Sequence, residues 1–257
     1  MVLSKQQSDY VQQVIKTCLR NKFKKYNPES SNMPFHFRLL GNDRMALFSF
    51  IQSLNTTFGT SIFEPVAVAL AGNRFKKAQA QYVLGTTISQ ASQNKIQDIM
   101  NKLTTGKSPN KEAEIKAIRE VCQSGKMNQL KTVKVDLFVE SKDGTIFLFD
   151  LKTAKPNISN FKDFKRTLLE WVAIVLSTSP DSKVNTVIAI PYNPYEPKPY
   201  ERWTLKGMLD LDDELKVAED FWDFLGGNGA YSALLDCFER AGIELRPEID
   251  KYFSKFK

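Results

Sequence analysis

Residues 132–157 read TVKVDLFVESKDGTIFLFDLKTAKPN, and this stretch decides the fold. Strongly apolar segments with period-two patterning flank residues 142–144, which is typical of two β-strands joined by a tight turn. Along the second strand, Asp150 and Lys152 are two residues apart and therefore share one face. Asp136 lies on the first strand, so the turn decides whether all three charged side chains meet.

The length of this turn fixes the strand register. A two-residue Asp-Gly turn would pair position 136 with position 151 and place Asp136 on the opposite face. A three-residue loop that also includes Lys142 pairs position 136 with position 150, so that Asp136 and Asp150 stand side by side. Such a loop favours a residue with positive φ at its third position, and Gly144 stands there. The sequence therefore has the turn chemistry for a site at this hairpin.

Two carboxylates and a lysine form a donor set with a specific chemical use. Neighbouring carboxylates repel, so a fold that keeps Asp136 beside Asp150 needs a compensating positive charge. Mg²⁺ commonly binds one or two carboxylates together with water and phosphate. The metal would polarise a phosphoryl group, while Lys152 would orient the attacking water or stabilise developing charge. The alternative is an edge hairpin with these side chains in solvent, whereas the apolar flanks favour a central position, where unpaired charges are costly.

The residues after the hairpin continue an α/β pattern. Helical spacing of apolar residues predicts a helix over residues 159–178, and VNTVIAI at 184–190 is typical of a strand buried on both faces. A strand, a crossover helix and another strand imply parallel pairing, added here to an antiparallel hairpin. The predicted fold class is α/β, a mixed sheet in β-β-α-β order flanked by helices. We expect residues 1–125 to form a mostly helical N-terminal region and residues 126–257 the core with C-terminal helices, packed as one compact unit.

The composition bounds the class of protein. The 257 residues are 42% hydrophobic, enough for one substantial core, and the net charge of +7 is compatible with a polyanionic partner. Three cysteines are widely separated, without the spacing of a zinc site, and we expect free thiols. No apolar run approaches the length of a membrane span and the first residues lack a signal pattern, so we expect a cytoplasmic protein without membrane contact.

The segments VKVD and FDLK resemble the PD-(D/E)xK nuclease core, whose fold has the same helix-flanked β-β-α-β order. Asp136 matches the first acid, Asp150 the second and Lys152 the lysine. Val135 stands in place of the proline of the motif name, and the second acid is Asp instead of Glu. The segments DLKTAKPN, NPYEPKPYERWT and FWDFLGGNGAYSALL together resemble the TdeIII-like group of type II restriction endonucleases, over most of residues 60–240.

This resemblance implies a restriction-endonuclease-like fold and double-stranded DNA as the substrate. It further implies Mg²⁺ as cofactor, 5′-phosphate ends, a homodimer that reads a near-palindromic site of the GGNCC type, and a cognate DNA methyltransferase in the same system. Two alternatives stay open: a repair or junction-resolving nuclease of the same superfamily, and a nucleic-acid-binding protein without catalysis. Resemblance of fold does not decide among them, because this core hosts many nucleases.

Glu64 is a further candidate acid with two interpretations. In the pattern Ser61-x-x-Glu64, the carboxylate can reach back to the Ser61 amide and form a helix capping box. Alternatively, Glu64 adds a third carboxylate to the metal site, as in several nucleases of the resembled superfamily. The two interpretations are not fully exclusive, since both place Glu64 at the start of a helix.

Several polar residues near the proposed site could contact DNA. Lys155 and Asn157 come soon after the second strand, and Lys165 lies early in the following helix. Arginine has the donors to bind guanine edges, although a phosphate contact or a surface salt bridge is the favoured interpretation for each arginine. The arginine candidates are Arg44, Arg74 and Arg202. The single histidine, His36, lies among apolar residues, which favours a position at the edge of a core over a role as general base.

Overall fold

The computed structural model describes residues 3–28, 32–152, 154–156, 161–201 and 207–256. Within these ranges the strands are β1 Lys77–Ser89, β2 Met127–Glu140, β3 Ile146–Leu151, β4 Val184–Ile190 and β5 Leu215–Val217. The helices are α1 Lys5–Lys25, α2 Pro34–Leu40, α3 Asn42–Phe58, α4 Glu64–Ala71, α5 Gln90–Thr104, α6 Lys111–Arg119, α7 Phe161–Thr178, α8 Leu211–Glu214, α9 Glu219–Gly226 and α10 Ala230–Phe253. A π-helical turn, Gly59–Phe63, joins α3 to α4.

The strands form one mixed sheet in the order β1-β2-β3-β4-β5. The pairs β1–β2 and β2–β3 are antiparallel, whereas β3–β4 and β4–β5 are parallel. Helix α7 makes the crossover from β3 to β4, so the predicted β-β-α-β order and the mixed α/β fold class are confirmed. Six of the seven residues of β4 are buried, as expected for a strand covered on both faces.

Two strands, β1 and β5, were not predicted from the sequence. β1 reads KAQAQYVLGTTIS, and its side chains stay exposed or half-exposed as far as Thr87. Its Ala and Gln residues have little preference for a strand, so β1 forms because it pairs along nearly the whole of β2. β5 has only three residues, which is too short to show a period-two pattern.

Helices cover both faces of the sheet, and two core layers result. The layer beneath α5, α6 and α7 includes Val135, Phe138, Leu148 and Ile188. The layer beneath α1, α4, α9 and α10 includes Leu137, Val139, Phe149 and Val187. Because β2 and β3 contribute to both layers, the hairpin is central in the sheet. The alternative prediction of an edge hairpin with its side chains in solvent is therefore wrong.

The hairpin has the register that a three-residue loop requires. Leu137 pairs with Phe149, and the Ser141 N–H donates to the Thr145 carbonyl at 2.9 Å. The three residues between Ser141 and Thr145 form the loop. Gly144 has φ +83° at the third loop position, where the sequence predicted a positive value.

The helices and the cysteines bear on two predictions made from the sequence. Within the described ranges, no helix combines the length and the apolar character needed to cross a bilayer. Cys18, Cys122 and Cys237 are free thiols, as predicted.

Candidate active site

Strands β2 and β3 bring Asp136 and Asp150 together. One residue beyond the Leu137–Phe149 pair, the same register sets Asp136 opposite Asp150. The backbone N–H of Leu151 donates to Asp136 Oδ2 at 2.8 Å, which ties the first acid to the end of β3. Asp150 is buried and Asp136 is half-buried. The two acids therefore share one end of the hairpin, where one cation could contact both.

Lys152 joins the acids from the position just after β3. Its Nζ lies 2.6 Å from Asp150 Oδ1 and 4.6 Å from the centroid of the Phe164 ring on α7. The Lys152 backbone N–H donates to the Ala189 carbonyl at 2.9 Å, so pairing with β4 fixes the main chain beneath the side chain. The ammonium is thus held between a carboxylate and an aromatic face.

Glu64 enters the site from the start of α4, and its contacts differ from those of a capping box. Ser61 lies inside the π-helical turn, and α4 has no side-chain cap hydrogen bond, so the capping-box interpretation is wrong. Gln81 of β1 instead donates its Nε2 to both carboxylate oxygens of Glu64, at 3.0 Å each. π-Helical turns recur at functional sites, and this one leads directly into the residue that carries the acid.

Burial and crowding raise the pKa of two of these acids. The pKa of Asp136 rises to about 7, first because the carboxyl is buried and then because Asp150 and Glu64 are negative nearby. A backbone N–H and Lys152 act in the opposite direction. Burial also raises the pKa of Glu64, against the effect of the Gln81 hydrogen bonds. Shifts of this origin mark a place where added positive charge is favourable.

A groove of about 820 Å³ opens over these residues. Its walls come from the end of α3, the π-helical turn, the segment after β3 and the proline-rich segment after β4. The polar side chains on these walls include Glu64, Asp136, Lys152, Lys155 and Tyr192. A concave surface with perturbed acids and a lysine is the kind of place where an active site is expected.

The donor set fits a hard divalent cation. Within the described ranges, no cluster of three or more His, Cys, Asp or Glu side chains is arranged to hold a metal ion. Mg²⁺ needs fewer protein ligands, because water and phosphate supply the rest. Asp136 and Asp150 offer oxygen donors side by side, and the raised pKa of Asp136 means that a cation would relieve their repulsion. These two residues would hold a divalent cation.

The predicted DNA-contacting residues have different surroundings. Lys155 lines the groove. Arg44 and Arg74 are exposed, and neither is among the described residues that line the groove. Asn157 and Arg202 lie outside the described residues. The structure therefore brings one of the five beside the catalytic candidates.

Two further expectations are wrong. Lys165 is fully buried, and its Nζ lies 2.5 Å from Glu114 and 2.6 Å from Glu214. A lysine enclosed with two acids ties α6, α7 and α8 together and is not available to DNA phosphate. His36 is exposed on the short helix α2, not at the edge of a core.

Sequence reasoning missed Gln81 and Tyr192. Gln81 lies on β1, which carries no strand signal, so its contact with Glu64 could not be predicted. Tyr192 is 50% exposed and lines the groove. A signal for Tyr192 did exist, because it follows directly after a parallel strand, and the carboxyl ends of such strands meet at the site.

Comparisons with known proteins bear on the function of this site. The family model described as "Type II restriction endonuclease, HinfI" matches residues 3–242. The chain is 30% identical over 223 residues to the type II restriction enzyme MjaII of Methanocaldococcus jannaschii, covering 76% of this chain and 58% of MjaII. It is 27% identical over 227 residues to the type II restriction enzyme HgiCII of Herpetosiphon aurantiacus, covering 85% of this chain and 80% of HgiCII. The predicted resemblance to type II restriction endonucleases is confirmed, and the chain belongs to the HinfI family of these enzymes.

Proposed function

We propose that this chain is a Mg²⁺-dependent, site-specific endonuclease that hydrolyses double-stranded DNA to 5′-phosphate ends. The observation that carries the proposal is the hairpin register, which sets Asp136 opposite Asp150, with Lys152 Nζ 2.6 Å from Asp150. Membership of the HinfI family supports a restriction-type activity. Mg²⁺ and the 5′-phosphate ends follow from the donor set and from the resemblance to PD-(D/E)xK nucleases.

Each side chain in the site has a distinct task in the proposed reaction. Bound Mg²⁺ supplies a Lewis acid that polarises the phosphoryl group and lowers the pKa of bound water. Asp136 and Asp150 would hold the ion, with Glu64 as a further proposed ligand. The Leu151 N–H keeps Asp136 at the end of β3. Lys152 carries three N–H donors, of which one meets Asp150. The others can orient the attacking water and stabilise the charge that develops on the phosphate.

The groove and the charge of the chain support DNA as the substrate. A net charge of +7 favours association with a polyanion. Lys155 lines the groove beside Lys152, and we assign it to the DNA backbone at the cleavage position. Arg44, Arg74, Arg202 and Asn157 remain proposed DNA contacts outside the described lining of the groove. A recognition site of the GGNCC type rests on the resemblance to TdeIII-like enzymes.

We further propose a homodimer, because a palindromic site presents two equivalent strands to two equivalent active sites. The apolar face of α2 and α3 is the proposed contact with the second copy. Phe35 is 84% and Phe48 54% exposed, which leaves roughly 300 Å² of aromatic surface at about 200 Å² per ring. Leu39, Leu47 and Ile51 extend this face, and a stable dimer buries roughly 800 Å² per partner. The protein would act in the cytoplasm beside a cognate DNA methyltransferase that protects host DNA.

Digestion of plasmid DNA tests the proposed activity. We expect discrete fragments in Mg²⁺ and none in EDTA. A smear, or cutting only at junctions, would indicate a structure-directed nuclease of the same superfamily. Complete inactivity on varied DNA in both Mg²⁺ and Mn²⁺ would indicate a DNA-binding protein without catalysis, and the proposal would fail.

A further inference from the structure

Gln81 extends the pair of acids into a row across three adjacent strands. Ala80 pairs with Leu137, so the next residue of β1, Gln81, lies opposite Asp136, which itself lies opposite Asp150 on β3. The three side chains therefore start from neighbouring backbone positions at the same end of the sheet. Gln81 is the member of this row that the proposed reaction does not use.

The backbone of Gln81 is unusual for a residue inside a β-strand. Its φ is +49°, in the left-handed region, although β1 runs from Lys77 to Ser89. Residues with a Cβ rarely adopt this region, and a non-glycine residue held there costs free energy. Such conformations persist where the surrounding structure requires them and cluster at functional sites. A favourable contact of Gln81 must therefore offset the free energy that this backbone conformation costs.

The contact that the Gln81 side chain makes is with a buried acid. Its Nε2 lies 3.0 Å from each oxygen of Glu64, and Glu64 is only 1% exposed. A buried carboxylate without donors would be strongly disfavoured. The amide supplies the donor without neutralising the charge, which a lysine or arginine at this position would do.

The amide also leaves part of the Glu64 carboxylate available. An ionised carboxylate has about four lone-pair sites, and a single amide nitrogen between the two oxygens occupies one side of the group. The carboxylate is close enough to Asp136 to raise the pKa of that acid. Glu64 therefore adds negative charge beside Asp136, where the ion would bind.

We propose that Gln81 is a positioning residue for the metal site: it fixes the Glu64 carboxylate beside Asp136, where the negative charge of Glu64 would strengthen binding of Mg²⁺. This inference rests on the proposed metal-dependent nuclease function. Partners that orient the groups around a metal typically change affinity or activity ten- to a hundredfold when they are removed. The strained backbone at Gln81 orients the side-chain amide of this residue toward Glu64.

The variant Gln81→Gly separates positioning from a purely structural role, because glycine accepts positive φ and lacks the amide. Binding of Mn²⁺ without DNA is measured by electron paramagnetic resonance, the Mg²⁺ dependence of cleavage by single-turnover rates, and folding by the thermal midpoint in EDTA. We expect Mn²⁺ affinity to fall roughly tenfold or more, and half-maximal cleavage to need correspondingly more Mg²⁺. Saturating Mg²⁺ should restore most of the rate. The thermal midpoint should change little, because relief of the positive φ at position 81 offsets the loss of the hydrogen-bond donor to the buried Glu64. Gln81→Asn, which tolerates positive φ with a shorter amide, should change Mn²⁺ binding in the same direction.

The exposed Gln79, two residues earlier on β1, provides the matched control as Gln79→Ala, which should bind Mn²⁺ like the wild type. Unchanged or tighter Mn²⁺ binding by both Gln81 variants would overturn the inference, as would a loss of affinity that only follows a lower thermal midpoint. If the wild type neither binds Mn²⁺ nor cuts DNA, the proposed function fails and the inference fails with it. If the wild type does both and Gln81→Gly matches it, only the role of Gln81 is refuted.

Discussion

Replacing Asp136 by Asn should make the metal-free protein more stable. In the wild type this carboxyl is enclosed beside Asp150 and Glu64, and its pKa is about 7 instead of 3.8. The folded state therefore disfavours the charged form. The asparagine side chain carries no charge, and its amide oxygen can still accept the hydrogen bond that the Leu151 N–H donates to Asp136.

The pKa difference sets both the size of this effect and its pH window. A rise of about 3 pH units in the pKa of Asp136, from 3.8 to about 7, corresponds to about 4 kcal/mol at 1.36 kcal/mol per unit. Between these two values the unfolded chain binds fewer protons than the folded chain, so wild-type stability falls as the pH rises from about 4 to 7. Above pH 7 the substitution should raise the free energy of unfolding by up to about 4 kcal/mol. For a chain of this size, that corresponds to a rise of roughly 8 °C in the thermal midpoint. Near pH 4 the gain should vanish.

Thermal unfolding in EDTA between pH 4 and pH 9, followed by circular dichroism, measures this difference. Asp143→Asn is the matched control, because hydrogen bonds from Ser141 and Thr145 lower the pKa of this exposed carboxyl in the same hairpin. The control should bring no gain in stability. Two results would refute the reasoning: an Asp136→Asn protein no more stable than the wild type at pH 8 to 9, or a gain that persists unchanged at pH 4.

Three further substitutions test other parts of the account. Lys152→Ala should reduce cleavage below detection while gel-shift binding of DNA persists, and wild-type cleavage would show that the catalytic assignment is wrong. Gly144→Val places a β-branched residue at φ +83° and should cost about 1–2 kcal/mol in urea unfolding; an unchanged midpoint would argue against the three-residue loop. Lys165→Met leaves Glu114 and Glu214 buried without their cation, which should cost about 3–5 kcal/mol. The DNA affinity of the Lys165→Met variant should depend on salt concentration as that of the wild type does. A shallower salt dependence would indicate that Lys165 contacts DNA phosphate.

The parts of the site that the sequence predicts are those set by local patterns. The loop length and Gly144 determine the hairpin register, because a one-residue slip would move every apolar side chain of the strands to the wrong face. The composition of residues 184–190 is sufficient to predict a buried parallel strand. Gly144 permits the three-residue loop that sets Asp136 opposite Asp150, and the structure decides for this loop over the two-residue turn.

The parts that could not be predicted depend on contacts between distant segments. β1 has a weak local preference and becomes a strand through its pairing with β2, so Gln81 had no visible partner in the sequence. The pattern around Glu64 fits a capping box equally well, and only the π-helical turn and the contact with Gln81 decide against it. Lys165 looks like a solvated residue of a helix start, because its acidic partners come from α6 and α8. In each case a nonlocal neighbour outweighs the local signal.

The central claim is that Asp136 and Asp150 form one metal-dependent site with Lys152, and a double-mutant cycle on cleavage tests it most directly. Single-turnover rates at saturating DNA and Mg²⁺ are measured for the wild type, Asp136→Ala, Asp150→Ala and the double variant. When two residues act as one unit, replacing either one removes nearly all cleavage activity. The double variant should therefore cleave no more slowly than the slower of the two single variants. Wild-type cleavage by either single variant, or losses that multiply in the double variant, would contradict the account.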